Sequence, residues 1–516
     1  MPEDLFQTVK NRIRKEWLIC FAAAFGIGVV AHFYKLVNWL PNWDSVIFLH
    51  HDMNQTKVGR WFLSFLCGIG SYYDLPWVNG LLSLLYLSMS AVCISQIFRL
   101  KKKISLILLG GMWVTFPTVT STLAYNYTAD GYFLALFFIC LAVLLMVRGG
   151  KRALLSIPLI ACSVGTYQAY ITVAMVLILM YFADQLLFQS MKVKDAIKKM
   201  IGCLGYGCVG MGLYYICMQI ALKIFDVELL DYQGVKTAFS FSGFDVLASL
   251  KSCLRSFKGY FFNFSKGLSL FSILNVVMFC FLTFLFFQYI RKTKIWKHPS
   301  NFGLLLICLG LMPFAAVFLY FSDPWVDYHN LMLMGYGIFY LIPILCYERA
   351  VGGSEIFQKG KQWGILLISA LTIYNFILIA NISYQKMQIA YEKSINAAVR
   401  IADRIEQTEG AKNCEKIAVM GEIGGCRDYF YILPPNMTGI TDGYIFFSSD
   451  PNVDQDILVK ILKDYCGLDY GYASREEKNK IIETDEFQSM PDWPAKDSLV
   501  VKDDMIILRL GDEKIQ

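Results

Sequence analysis

Between Asn42 and Trp61 the chain gathers the residue types needed to displace a phosphate leaving group: Asn42-Trp43-Asp44-Ser45, then His50-His51-Asp52-Met53-Asn54, then Lys57 and Gly59-Arg60-Trp61. A hydroxyl that displaces a phosphate needs a carboxylate to take its proton, and cations or donors to steady the departing group. Asp44 or Asp52 could be the base, and Lys57 and Arg60, with His51 nearby, could hold the phosphate. The same stretch also reads as an interfacial segment, with Trp39, Trp43, Trp61 and Trp77 anchored at headgroup level and the charges solvated. His50 and His51 are adjacent and have no second cluster at metal-ligand spacing, so no obligatory metal is expected.

Three further segments repeat the mixture of rings and polar edges: Tyr125-Asn126-Tyr127-Thr128-Ala129-Asp130, Tyr167-Gln168, and Asp323-Pro324-Trp325-Val326-Asp327-Tyr328-His329-Asn330. Aromatic faces stack on the CH faces of sugar rings while amides and carboxylates take the hydroxyls. Asn126, Tyr127, Asp130, Tyr167, Gln168, Asp323, Asp327 and His329 are therefore candidate sugar or acceptor ligands. Taken singly, each segment is explained as well by ordinary interfacial aromatics. Their shared side of the bilayer, derived next, is what makes them a candidate site.

With 56% hydrophobic, 15% aromatic and only 17% charged residues in 516 positions, the solvent of this chain is largely lipid. Apolar windows long enough to cross a hydrocarbon layer of roughly 30 Å fall near 17–37, 78–98, 104–123, 131–147, 153–167, 169–188, 200–222, 267–290, 301–320, 330–347 and 363–383, about eleven spans. The first is too long for a signal-peptide core and lacks a small-residue cleavage site, so it reads as a retained span. The fifth is short, and its tight Gly165-Thr166-Tyr167-Gln168 link to the sixth need not cross fully if it lines a protein cavity.

Lys and Arg of short loops mark the cytoplasmic side. Basic groups before the first span and after the second, fourth, sixth, eighth and tenth all fall on one side. The N-terminus, 1–16, is therefore expected in the cytoplasm, with loops 38–77 and 223–266 and the tail 385–516 outside. Loop 223–266 carries Lys236, Lys251, Arg255, Lys258 and Lys266 against that bias, as an amphipathic element on the outer leaflet would, although long loops escape the bias anyway. The tail holds 24 acidic against 16 basic residues. Lys416–Met420 and Tyr444–Phe447 read as strands, 454–465 as a helix, and Ser498–Leu510 as a hairpin turning at Asp503-Asp504. The expected fold is an α-helical polytopic membrane protein of about 11 transmembrane helices over 17–384, with a small extracytoplasmic α/β domain at 385–516.

Most of the fifteen cysteines sit in apolar spans, where a thiol acts as a small hydrophobe; Cys414 and Cys426 could pair if the tail faces an oxidising compartment. Asp184 and Lys223 lie near span ends, and most span middles carry no Asp, Glu, Lys or Arg. An ion-coupled transporter or flippase needs charged stations along its path, so the spans read as scaffold.

This layout resembles the bacterial glucosyltransferase II family of O-antigen modifying enzymes, within the GT-C class of multispan glycosyltransferases. The resemblance rests on the acidic first outer loop ending in Gly59-Arg60-Trp61, the Tyr167-Gln168 hairpin, and Met490-Pro491-Asp492-Trp493-Pro494 before a final strand pair. It implies an enzyme of the bacterial plasma membrane that takes a sugar from a polyprenyl-phosphate carrier on the outer face, usually with inversion, using an acid of the first outer loop as base. That role falls to Asp44 or Asp52; Asp44 is nearer the first span, and Ser45 stands where many relatives have a second acid. The implied reaction moves glucose or a related hexose to an extracytoplasmic cell-envelope polysaccharide or glycan, with the polyprenyl-phosphate sugar as substrate, no cofactor and no nucleic-acid partner. The competing readings are a lipid-linked oligosaccharide flippase or transporter, a polysaccharide polymerase, and a non-catalytic envelope assembly protein.

Overall fold

The computed structural model describes residues 7, 13–47, 52–230, 245–264, 267–349, 355–421, 433–435, 437, 440 and 451–511. The chain is mostly helical and divides into two units, one of Met1–Val37, Asp52–Asn381 and Ile432–Met437, the other of Asn38–His51, Ile382–Tyr431 and Thr438–Gln516.

In the larger unit, seven helices among the described residues are long and apolar enough to cross a membrane: Lys15–Val37, Pro76–Ile97, Asn126–Arg148, Gln168–Phe188, Val193–Ile224, Leu270–Thr293 and Gln358–Gln407, the last continuing into the smaller unit. The Val193–Ile224 helix leaves Ile201, Leu204, Val209, Ile216 and Ile220 exposed. A contiguous apolar face of that kind fits a lipid surround rather than water.

The count falls short of the eleven windows because several of them contain helix breaks. Lys103–Thr115 and Pro117–Leu123 form an apolar helix pair bent by 45°, the geometry of a broken span or a re-entrant loop, since Pro117 drives Phe116 out of the helical region (φ −53°, ψ 136°). Window 153–167 holds a 3-10 turn, Lys151–Leu155, and a nine-residue helix, Ser156–Val164. Window 301–320 yields the 17-residue helix Pro299–Ala315, and window 330–347 a chain of short turns from Asn330–Met332 to Ile342–Glu348. Hydropathy sees the apolar run and not the interruptions.

The Asn126–Arg148 helix packs along Pro76–Ile97, and Lys15–Val37 lies against Pro76–Ile97 and Lys103–Thr115. Gly110 makes that last approach possible: a Cβ there would sit 2.8 Å from the Ala24 nitrogen. At one end of this unit, Arg349 grips buried Asp184 with two parallel hydrogen bonds, Nε to Oδ1 at 2.9 Å and Nη2 to Oδ2 at 3.1 Å. Arg349 also donates to the Phe98 carbonyl. Beside it the backbone N–H groups of Lys101 and Lys102 donate to Glu348.

The smaller unit is built on a four-stranded sheet of order β2-β1-β4-β3, from β1 (Lys416–Met420), β2 (Gly471–Tyr472), β3 (Leu499–Lys502) and β4 (Met505–Arg509). β1 runs parallel to both neighbours, and β3 and β4 form the expected hairpin. Asp503 and Asp504 both take positive φ (48° and 58°), the twist a two-residue hairpin turn requires. One face, Ile417, Val419, Ile506 and Leu508, packs on Ala398, Ile401 and Ile405 of the Glu355–Gln407 helix and on Ile457 and Ile461 of the Pro451–Cys466 helix. The other face, Ala418, Met420 and Ile507, receives Phe487 and Met490. The expected 454–465 helix lies within Pro451–Cys466; Tyr444–Phe447 and Cys426 fall outside the described residues. The Met490–Pro494 segment clamps β4: Arg509 pairs with Asp492 at 2.8 Å and donates to the Met490 carbonyl, while Arg400 and Arg404 lie over the Trp493 ring.

Candidate active site

In the larger unit the first loop closes into a tight turn. Asp52 Oδ1 accepts the Asn54 N–H, and Asn54 Oδ1 accepts both the N–H and the hydroxyl of Thr56. Gln55 then bridges to Arg60 across a 3-10 turn, Thr56–Val58, that ends on Gly59 at φ 79°. Glycine adopts that left-handed conformation at no steric cost, so Gly59 turns the chain back and aims Arg60 inward.

Three neighbours fix this turn. Gln168 Nε2 donates to the Val58 carbonyl at 2.9 Å, Tyr214 Oη donates to the Gly59 carbonyl at 3.2 Å, and the Phe62 N–H donates to the Gly165 carbonyl at 2.8 Å. The Trp61 ring lies against Gly165, where a Cβ would come within 2.6 Å of it. The Lys57 carbonyl accepts the Leu230 N–H, and the Lys57 side chain is exposed. Arg60 Nη1 donates to Tyr132 Oη at 3.1 Å, and its guanidinium lies 5.2 Å from the centroid of Tyr167. Tyr132 and Tyr167 stack at 4.6 Å. A half-buried guanidinium bonded to one phenol hydroxyl and set over the ring of the other keeps its fork oriented, the arrangement suited to the oxygens of a phosphate.

Arg60, Tyr167 and Gln168 are therefore brought together, with Asp52 a few residues away at the exposed start of the same turn. Tyr132 and Tyr214 complete the group; both lay inside apolar windows and carried no local signal.

Asn126 and Asp130 belong to a second, buried cluster at the start of the Asn126–Arg148 helix. Asn126 Nδ2 donates to Asp74 Oδ1 at 2.6 Å, and Asp74 lies within electrostatic reach of buried Lys35. Asn79 Nδ2 approaches Asp130 Oδ1 at 3.4 Å, and Asp130 Oδ2 makes no hydrogen bond among the described residues. Asp130 is 1% exposed. The helix begins five residues before the predicted window, which is how a carboxylate enters a segment read as free of charge. All of these groups sit at helix ends or in the adjoining loop. Tyr127 is buried and its ring meets Tyr125 edge-on.

Asp323, Asp327 and His329 form a third region. Asp323 Oδ1 accepts the Trp325 N–H at 2.9 Å, and Asp327 stands 3.8 Å from His329. Asp44 lies in the smaller unit on the five-residue helix Trp43–Ile47, whose preceding Asn42 accepts the N–H and hydroxyl of Ser45. Val46 of this helix packs into the core formed with Ile457 and Leu458. His51 falls outside the described residues. Among the described residues, no three His, Cys, Asp or Glu side chains gather as a metal-binding set.

Residues 33–342, more than half of the 516-residue chain, match the family model described as glucosyl transferase GtrII. The match takes in Asp44, Asp52, Arg60 and the Tyr167-Gln168 turn and ends well before Met490–Pro494. No curated protein and no solved structure matches the chain.

Proposed function

The chain belongs to the glucosyl transferase GtrII family, and from that premise we propose that it is a multi-pass membrane glycosyltransferase that moves glucose or a related hexose from a polyprenyl phosphate to a cell-envelope glycan. In this reading the Arg60 end of the larger unit faces outside, as does the smaller unit, and the N-terminus is cytoplasmic. Arg60 receives the donor phosphate, with Lys57 and His51 as further cations. A loop carboxylate, Asp44 or Asp52, takes the proton of the attacking hydroxyl, the C1–O bond to phosphate breaks, and the phosphate leaves as an anion on the guanidinium.

The observation that carries the reading is Arg60, pinned between the Tyr132 hydroxyl and the Tyr167 ring at the end of the helices rather than solvated on a loop. A donor with a prenyl tail requires a phosphate site at the membrane surface, and an oriented guanidinium at a helix end supports that reading. The test is transfer of radiolabelled glucose from synthetic polyprenyl-phosphate glucose by the full chain in lipid, with Asp44→Asn, Asp52→Asn and Arg60→Gln as variants and with a chelator added. Loss of transfer in one Asp variant and in Arg60→Gln, unaffected by chelation, supports the metal-independent mechanism. Turnover that survives all three substitutions sinks it.

A further inference from the structure

The helix Val246–Phe261 is amphipathic, and its polar attachments fold the 318–328 segment against it. Ser249 Oγ donates to the Tyr320 carbonyl at 2.8 Å and Ser252 Oγ to the Pro324 carbonyl at 2.9 Å. Between them lies a cavity of about 340 Å³, near the lower end of the roughly 300–1,000 Å³ range of small-molecule sites. Its walls include Tyr320, Trp325 and Tyr328, its floor Tyr260, and its polar edge Arg255 and Asn263.

Burial grades steeply from rim to floor: Trp325 is 81% exposed and Tyr260 only 2%. The Asp323 carboxylate, accepting the Trp325 N–H, sets the turn that holds the indole out at the rim. Tyr320 and Tyr328 lie 4.5 Å apart behind it. Burial keeps the Tyr260 hydroxyl well above its ordinary pKa, so it remains a neutral donor. The hydroxyl meets no full hydrogen-bond geometry among the described residues, although the Asn330 side chain stands near enough to be its partner. Asn330 is in turn held by Thr118 and Ser121, in the short helix that precedes Asn126–Arg148.

We propose that this cavity binds a pyranose ring of the acceptor glycan, with Trp325 stacked on the ring and Arg255 and Asn263 on its hydroxyls. An acyl chain would leave Arg255 and Asn263 facing hydrocarbon, which costs energy at each polar group. A bare phosphate would meet a single cation among aromatic walls. A sugar uses both surfaces at once: its CH face takes the rings and its edge takes the donors. Asp323, Asp327 and His329, the sequence candidates of this segment, act here by shaping the turn or stand outside the cavity lining. The assignment of the sugar to the acceptor rests on the proposed transferase reading; the sugar site itself does not.

The experiment uses the full chain in lipid nanodiscs, wild type, Trp325→Ala and Arg255→Gln, both substitutions at exposed positions. Saturation-transfer NMR with methyl glucoside, galactoside, mannoside and rhamnoside reads sugar binding without any need for turnover. Labelled polyprenyl-phosphate glucose reads transfer to envelope polysaccharide and release of glucose to water. The expected result is binding of at least one pyranoside that weakens about tenfold in Trp325→Ala, a matching rise in acceptor KM, and unchanged glucose release. Pyranoside binding that the variants abolish, in a wild type that never turns over the donor, keeps the cavity and removes the transferase. Sugar binding indifferent to both substitutions, acceptor KM unchanged in both, or a weakened insertion into anionic vesicles as their only effect overturns the proposal.

Discussion

The Asp184–Arg349 pair offers the sharpest test of how the larger unit is held. Asp184 is 1% exposed and Arg349 14%, and the two parallel hydrogen bonds at 2.9 and 3.1 Å hold the carboxylate away from the surface. Opposite charges about 4 Å apart at an effective dielectric near 20 attract by about 4 kcal/mol. Removing one partner strands the other charge in a buried site, at a cost of about 3–5 kcal/mol. Asp184→Asn should therefore destabilise by that amount. Arg349→Gln should cost about 1 kcal/mol more, because the Phe98 carbonyl also loses its donor. Replacing both with apolar residues, Asp184→Leu with Arg349→Met, should recover most of the loss, since the pair itself nearly breaks even against well-packed hydrophobes. The assay is reversible unfolding of the purified protein in mixed micelles, run as a double-mutant cycle. Single losses under about 1 kcal/mol, or strict additivity in the cycle, would mean that water reaches the pair as it does a surface bridge, and the reasoning fails.

Arg60→Lys keeps the charge but loses the planar fork held between Tyr132 and Tyr167, so transfer should fall at least tenfold while the unfolding midpoint barely moves; unchanged kinetics would assign Arg60 to anchoring. Gly165→Ala pushes a methyl to 2.6 Å from the Trp61 ring and 2.9 Å from the Ala161 carbonyl, an overpacking worth about 1–3 kcal/mol; wild-type thermal stability would place Trp61 elsewhere. Glu477 is held down to about 2 by its hydrogen bond to Lys416, then by the Ser474 cap. Its folded pKa lies below the ordinary value of 4.5, so the stability it lends is complete above pH 4.5 and drains as pH falls toward 2. Glu477→Gln should flatten thermal unfolding of the full chain across that window, and an identical acid profile in the variant would count against the contact.

Elements whose signal is local were legible in the sequence. The Asp503-Asp504 turn, the strand Lys416–Met420 and the long apolar helices each announce themselves within a few residues, because turn chemistry and apolar periodicity act at short range. The helix breaks were hidden: a 3-10 stretch such as Ile338–Leu341 is as apolar as the α-helix it interrupts. The candidate site divides the same way. Arg60 and Gln168 are polar residues in turns and stand out, whereas Tyr132 and Tyr214 gain their roles only when separate helices bring their hydroxyls to Arg60 and to the Gly59 carbonyl.

Lys35 and Asp74 show why buried charge escapes a one-dimensional reading. Lys35 falls in the last turn of its helix, where a cation is favoured by the dipole and can pass as a snorkelling end residue. Asp74 sits in a loop, where a carboxylate needs no explanation. Only their burial, at 1% and 4%, together with the Asn126 amide on Asp74, marks them as interior charges within electrostatic reach of each other. Buried charges must be satisfied within the protein, and the Asp74–Asn126 and Asn79–Asp130 contacts tie the Asp74 loop and the starts of two helices together in the unit that presents Arg60. A substitution such as Asp74→Asn should therefore disturb transfer through the placement of that turn, raising the donor KM and lowering stability together, whereas Arg60→Lys acts on transfer alone; variants whose stability and kinetics separate in the opposite sense would reverse the two roles.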